Sequence, residues 1–137
     1  MYKMMKKILA ILVLGLLWSG NAYAEWTFAF STGNVYTSDF YYDKKTKVKK
    51  VGGNTFFWLL QDITNPTSDT IKKGQKSKAH HTEVDCRLKR FRWIQIIIYS
   101  EQMGKGKVMN SFSYNDDDWS SVPPGSERYD FFDKKIC

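Results

Sequence analysis

The run from Val84 to Tyr99 most constrains the fold of this chain. Its second half, Trp93–Tyr99, consists of four isoleucines, two aromatic residues and one glutamine. β-Branched and aromatic residues pack well on a pleated sheet, and a strand that is apolar on both faces is usually central in its sheet. A buried helix is the alternative, but three consecutive isoleucines and the short apolar length favour a strand. We therefore predict a central strand here, and a bend or bulge in the charged segment Arg87–Arg92.

The two cysteines of the chain are Cys86, inside this run, and Cys137, the last residue. Two cysteines in an exported chain most simply form one disulfide. Such a bridge would close a loop of roughly 50 residues, which is worth about 4 kcal/mol in the chain-entropy model. Two free thiols or an intermolecular bridge are the alternatives.

The first 24 residues have the pattern of a secretory signal. A basic start, Met1–Lys7, precedes an apolar stretch, Ile8–Trp18, and the segment ends in the A-x-A sequence of residues 22–24. The apolar stretch is shorter than the ~20 residues of a membrane-spanning helix, although an uncleaved anchor is the alternative. We expect cleavage to leave one domain, residues 25–137, with no transmembrane anchor. We expect this domain in the periplasm, or secreted or on the cell surface, of a Gram-negative bacterium.

Net charge argues against a dedicated nucleic-acid binder. The full chain carries +7, and removing Lys3, Lys6 and Lys7 leaves 18 basic and 14 acidic residues, or +4. This mild excess is smaller than the basic surface of such a protein requires.

Short β-rich segments separated by turn residues occupy most of the remaining chain. We expect strands at residues 26–30, 35–43, 54–63, 79–86 and 108–114, and an exposed basic loop over Thr64–Lys78. Ser126 can cap a final helix, whose Tyr129, Phe132 and Ile136 form one apolar stripe. The predicted fold is a β-dominated α+β domain. It is an antiparallel meander of about five or six strands with a C-terminal helix, and we expect the disulfide to clip that helix to one face of the sheet.

A run of five lysines is the clearest candidate for binding. On a strand, its alternate members would project to one side and suit a polyanion or an acidic partner. The alternative is an edge strand that lysines protect from aggregation. The members of the run are Lys44, Lys45, Lys47, Lys49 and Lys50.

Residues that could support catalysis or metal binding are few. His81, Glu83 and Asp85 would share one strand face and could form a metal or hydrolase site, but no second set of ligands has matching spacing. The two histidines are adjacent, no nucleophile elbow is present, and both cysteines fit a disulfide. We therefore expect a protein that is not an enzyme and has no cofactor, with a metal site or a solvated polar face as the competing interpretations of these three residues.

Several segments together resemble the surface-adhesin protein E-like family. They are Tyr41-Tyr42-Asp43 followed by Thr46-Lys47-Val48, Phe57-Trp58-Leu59-Leu60-Gln61-Asp62, Val84-Asp85-Cys86, Tyr99–Gly106, Trp119–Ser126 and Cys137. The resemblance implies an antiparallel sheet whose C-terminal helix is held to the concave face by a disulfide. It also implies binding of host extracellular-matrix proteins. The type member is lipid-anchored through a cysteine at its mature N-terminus, whereas no cysteine lies between the apolar stretch and Glu25 of this chain.

The expected partners follow from these features. They are a host extracellular-matrix protein or an anionic polysaccharide, and a second copy of the chain paired through an exposed strand edge. The competing hypothesis is a periplasmic, envelope-associated structural protein with no matrix ligand.

Overall fold

The computed structural model describes residues 25–49, 52–114 and 118–137. The predicted signal peptide, Lys50 of the lysine run and residues 115–117 lie outside the described residues.

Strands dominate the described chain. They are β1 (Trp26–Thr32), β2 (Thr37–Asp43), β3 (Val48–Lys49), β4 (Asn54–Asn65), β5 (Ser77–Asp85), β6 (Arg90–Tyr99), β7 (Val108–Ser113) and β8 (Ser120–Ser121). The helices are α1 (Ser68–Lys73) and α2 (Glu127–Phe131), and α2 continues as a π-helical turn, Phe132–Ile136. Two 3₁₀ turns cover Lys44–Thr46 and Gln102–Gly104.

The sheet is an antiparallel meander in the order β1-β2-β4-β5-β6-β7. The two-residue strands β3 and β8 pair with β4 and β6 respectively. These findings confirm the predicted fold class, and β6 is an interior strand as its apolar pattern predicts. Residues 87–89 of the charged segment lie in the hairpin turn between β5 and β6, and residues 90–92 are the start of β6. The irregularity of that strand pair lies at His81/Thr82.

The main core lies between one face of the sheet and α2. It includes Phe57 and Leu59 from β4 and Phe131, Phe132 and Ile136 from the helical segment, all at most 5% exposed. Ser126 caps α2 as predicted, since its Oγ accepts a hydrogen bond from Tyr129 N at 3.1 Å. The predicted stripe omitted Phe131, whose ring contacts the rings of Phe30, Tyr42 and Phe57.

A disulfide joins Cys86 to Cys137, which confirms the predicted pairing. Cys86 follows β5 and packs against the core, and Cys137 follows the π-helical turn. The bridge therefore fixes the far end of the helical segment to the sheet, although the two bonded residues are 51 positions apart in the sequence.

The 3₁₀ turn Gln102–Gly104 closes a smaller buried region on the opposite face of the sheet. Met103 N donates to Asp62 Oδ1 and Gly104 N donates to Ser77 Oγ, both at 2.9 Å. Gly104 has a φ of 69°, which suits glycine. These bonds satisfy two buried polar side chains on β4 and β5.

The prediction of a loop over Thr64–Lys78 is wrong, because β4 extends to Asn65, α1 follows, and β5 starts at Ser77. Thr67 caps α1 by accepting from Thr70 N at 3.2 Å, and Gly74 ends it in the left-handed conformation. Ile71, its one aliphatic residue, is 64% exposed. The residues that cap its two ends therefore define α1, which has no buried apolar face.

Candidate functional site

The lysine run does not form a ladder along a strand. Lys44 and Lys45 lie in a 3₁₀ turn that Asp43 caps, with Asp43 Oδ1 accepting from Lys45 N at 3.0 Å. Lys47 follows the turn, and Lys49 alone of the described run belongs to a strand, where it pairs with Thr55 of β4. The expected strand is interrupted because the Asp43 side chain satisfies a backbone amide locally and so favours a turn.

The same turn brings two lysines from the end of the chain to the run. Lys47 Nζ donates to the backbone oxygen of Lys135 at 3.3 Å, across 88 positions in the sequence. Lys134 is the neighbour of Lys135 in the π-helical turn. We call the five exposed residues Lys44, Lys45, Lys47, Lys134 and Lys135 the lysine patch. In the sequence, Lys134 and Lys135 fall in the last turn of the predicted final helix, and the predicted disulfide is the signal that this turn returns to the sheet.

Acidic side chains neutralise little of the lysine patch. Lys45 Nζ lies 3.6 Å from Glu25 Oε2, but the two side chains are 74% and 78% exposed. Exposed pairs of this kind contribute little because water and salt screen them. The neighbouring Asp133 is committed to Lys89 at 2.7 Å, and this hydrogen bond lowers the pKa of Asp133.

A groove continues from the lysine patch between β1 and α2. Its volume is about 440 Å³, and Phe28, Phe30 and Phe131 contribute apolar lining. Lys134 and Lys135 line it together with Glu127 and Asp130 of α2. The groove therefore offers an apolar surface and charges of both signs beside the patch.

The carboxylates of the candidate metal or hydrolase face are bound to arginines. Glu83 Oε1 accepts from Arg92 Nε at 2.7 Å, and Asp85 Oδ2 accepts from Arg90 Nε at 3.0 Å. Both guanidinium groups lie 4.5 Å from the ring of Trp119.

The third member of this face, His81, stacks on Trp58 with ring centroids 4.9 Å apart. Across residues 25–49, 52–114 and 118–137, no group of three or more His, Cys, Asp or Glu side chains is placed to hold a metal ion. The structure therefore gives these residues a role in ion pairing and ring stacking across β4, β5 and β6.

Residues 26–137 match the family model described as surface-adhesin protein E. No curated protein and no solved structure matches the chain. Within the described part of the chain, no helix has the length and apolar character needed to cross a membrane.

Proposed function

We propose a binding function, without catalysis, for this chain, which belongs to the surface-adhesin protein E family. In this proposal the protein is exported and binds an anionic polysaccharide or a host extracellular-matrix protein through the lysine patch. The observation that carries the proposal is the contact between Lys47 and the backbone of Lys135, because it joins two separate basic segments on one surface.

The physical argument is electrostatic. Several ammonium groups on one exposed surface create a local positive potential, which attracts polyanions such as sulfated polysaccharides and acidic protein surfaces. A lysine ammonium sits on a flexible four-carbon stem, so the patch can adapt to a ligand with irregularly spaced charges. Lys49 and Lys50 belong to the same run in the sequence and would add to this charge.

The test uses immobilised heparin as the probe and compares two triple variants of equal net charge. The patch variant replaces Lys44, Lys45 and Lys47 by Gln. The control replaces the exposed Lys72, Lys76 and Lys105 by Gln, since these residues lie outside the patch. We expect the patch variant to elute at a much lower salt concentration than wild type, because salt screens the charge–charge contacts with heparin and the variant makes fewer of them. We expect the control to elute near wild type. Equal elution of the two variants would remove the patch as the binding surface.

Location decides between adhesion and the competing hypothesis of a periplasmic envelope protein. Fractionation of cells that express the full chain, followed by protease treatment of intact cells, separates the two. Cleavage by external protease supports the adhesin, whereas full protection together with release in the periplasmic fraction supports the structural protein. The binding surface and the location are therefore tested by different measurements.

A further inference from the structure

Arg128 of α2 is a cation that the described residues leave without a counter-ion. Its guanidinium carbon lies 5.3 Å, 5.4 Å and 5.1 Å from the ring centroids of Phe30, Phe40 and Phe91. Its Nε is buried and has no hydrogen-bond partner within residues 25–49, 52–114 and 118–137. Burial lowers the pKa of Arg128, and no carboxylate in that part of the chain offsets the effect.

A partly buried guanidinium without an anion is energetically unfavourable, and ring faces compensate only part of the lost hydration. Arg90 and Arg92 of the same protein each have a carboxylate partner. Because Nε is enclosed, the two terminal nitrogens of Arg128 are the donors that remain available to an oxyanion.

Arg128 also lines a cleft of about 400 Å³ beside the start of α2. Phe91, Val122 and Pro123 give this cleft apolar walls, and Ser121 gives it a hydroxyl group. Glu127 lines it as well, but Glu127 Oε2 accepts from Ser31 N of β1 at 3.2 Å. Volume and lining are those of a pocket for a small organic ligand, in which apolar walls hold the body and a few polar groups fix the orientation.

We propose that this cleft binds a small carboxylic acid with an apolar body. Arg128 would hold the carboxylate by two parallel hydrogen bonds, and Phe91, Val122 and Pro123 would cover the body. A free phosphate would pair with Arg128 but would leave the apolar walls uncovered. A neutral analogue would cover the walls but would not pair with the charge of Arg128. The site is separate from the lysine patch and does not depend on the proposed adhesive function.

The experiment titrates the isotope-labelled mature domain with benzoate, and in parallel with benzamide and inorganic phosphate, and follows backbone amide shifts by NMR. We expect saturable shifts for benzoate at Gly33, Ser121 and Val122, and at least tenfold weaker binding of benzamide and phosphate. Equal binding of benzoate and benzamide would contradict recognition of the carboxylate. Tighter binding of phosphate would contradict an apolar acid as the ligand, and the absence of saturable shifts at the cleft would overturn the site.

Arg128→Lys is the informative variant because it keeps the charge near the three rings but removes the planar donors. Arg87→Lys, at an exposed arginine in the turn between β5 and β6, is the matched control. We expect at least a tenfold loss of benzoate affinity in the first variant and wild-type affinity in the second, with heparin retention unchanged in both. Wild-type affinity in Arg128→Lys would show that Arg128 only packs against the rings. If this variant did not fold, the shift map of the wild-type protein would still decide the site.

Discussion

The His80 side chain shows how burial on the sheet sets the chemistry of a single residue. It is 1% exposed and stacks on Trp93 with ring centroids 4.2 Å apart. Gln61 Nε2 donates to Ser38 Oγ at 3.1 Å, so Gln61 Oε1 faces His80 Nε2 at 3.1 Å and accepts a hydrogen bond from it. Burial, together with the positive charges of Lys78 and Arg128, lowers the pKa of His80 to about 3.

This shift predicts a loss of stability in mild acid. Between pH 6.5 and pH 4.5 the unfolded chain binds a proton at His80 while the folded protein does not, so the free energy of unfolding falls as the pH falls. The slope from this group is about 1.4 kcal/mol per pH unit below the unfolded pKa. Urea unfolding at several pH values in this window measures the slope for wild type and for His80→Gln.

We expect a flatter pH dependence for His80→Gln, whatever its stability at neutral pH. Carboxylates such as Asp133, whose pKa the hydrogen bond from Lys89 lowers, affect stability mainly at more acidic pH. Parallel curves for wild type and variant would show that His80 titrates similarly in the folded and unfolded chain.

At the scale of elements, the disulfide holds a helical segment that is too short to be stable alone. The segment contributes Phe131, Phe132 and Ile136 to the core, but isolated helices of this length are marginal in water. We expect Cys86→Ser/Cys137→Ser to lower the free energy of unfolding by about 4 kcal/mol, chiefly through the larger conformational entropy of the unfolded chain. Denaturant unfolding of the double variant and of the reduced wild-type protein measures this loss.

Hydrogen exchange adds the local evidence for the same prediction. In the double variant we expect the amides of the helical segment to exchange much faster relative to those of β4 and β5, because the far end of the segment is released. Unchanged stability and unchanged protection would mean that packing alone holds the segment on the sheet.

The sequence contains strong signals for some elements and weak ones for others. β6 could be predicted because its isoleucines and aromatic residues exceed what a loop or an amphipathic helix would contain. The final helix could be predicted because Ser126, the first-turn Glu127 and the stripe at Phe132 and Ile136 agree. α1 lacks any buried residue, so its periodicity carries no signal and only Thr67 and Gly74 mark its ends.

The candidate site could be predicted only in part, for a similar reason. The lysine run is a local pattern, but its meeting with Lys134 and Lys135 depends on how the chain returns after β8. The turn at Lys44–Thr46 depends on the hydrogen bond that Asp43 Oδ1 accepts from Lys45 N, which a strand pattern does not reveal. The cleft at Arg128 depends on residues from β1, β6 and α2, and these lie far apart in the sequence.

At the scale of the whole molecule, the two edges of the sheet differ. The edge strand β1 borders α2, and its Ser31 amide is bound by Glu127. The other edge strand, β7, has six exposed residues and no charged side chain, and Val108 and Met109 are 51% and 42% exposed. Uncharged, exposed edges of this kind favour pairing with a further strand.

The charges that flank β7 favour a second copy of the chain as that further strand, and we propose that two copies pair antiparallel through β7. Lys105 and Lys107 precede the strand and the exposed Asp118 follows it, so antiparallel pairing would place basic residues of one copy near an acidic residue of the other. We expect sedimentation equilibrium of the mature domain to show a dimer, and Asn110→Lys to convert it to a monomer, because a lysine near the two-fold axis faces its own copy. Asn34→Lys, at an exposed residue in the turn after β1, should remain dimeric. A wild-type monomer at the highest soluble concentration, or a dimer that persists in Asn110→Lys, would remove β7 as the interface.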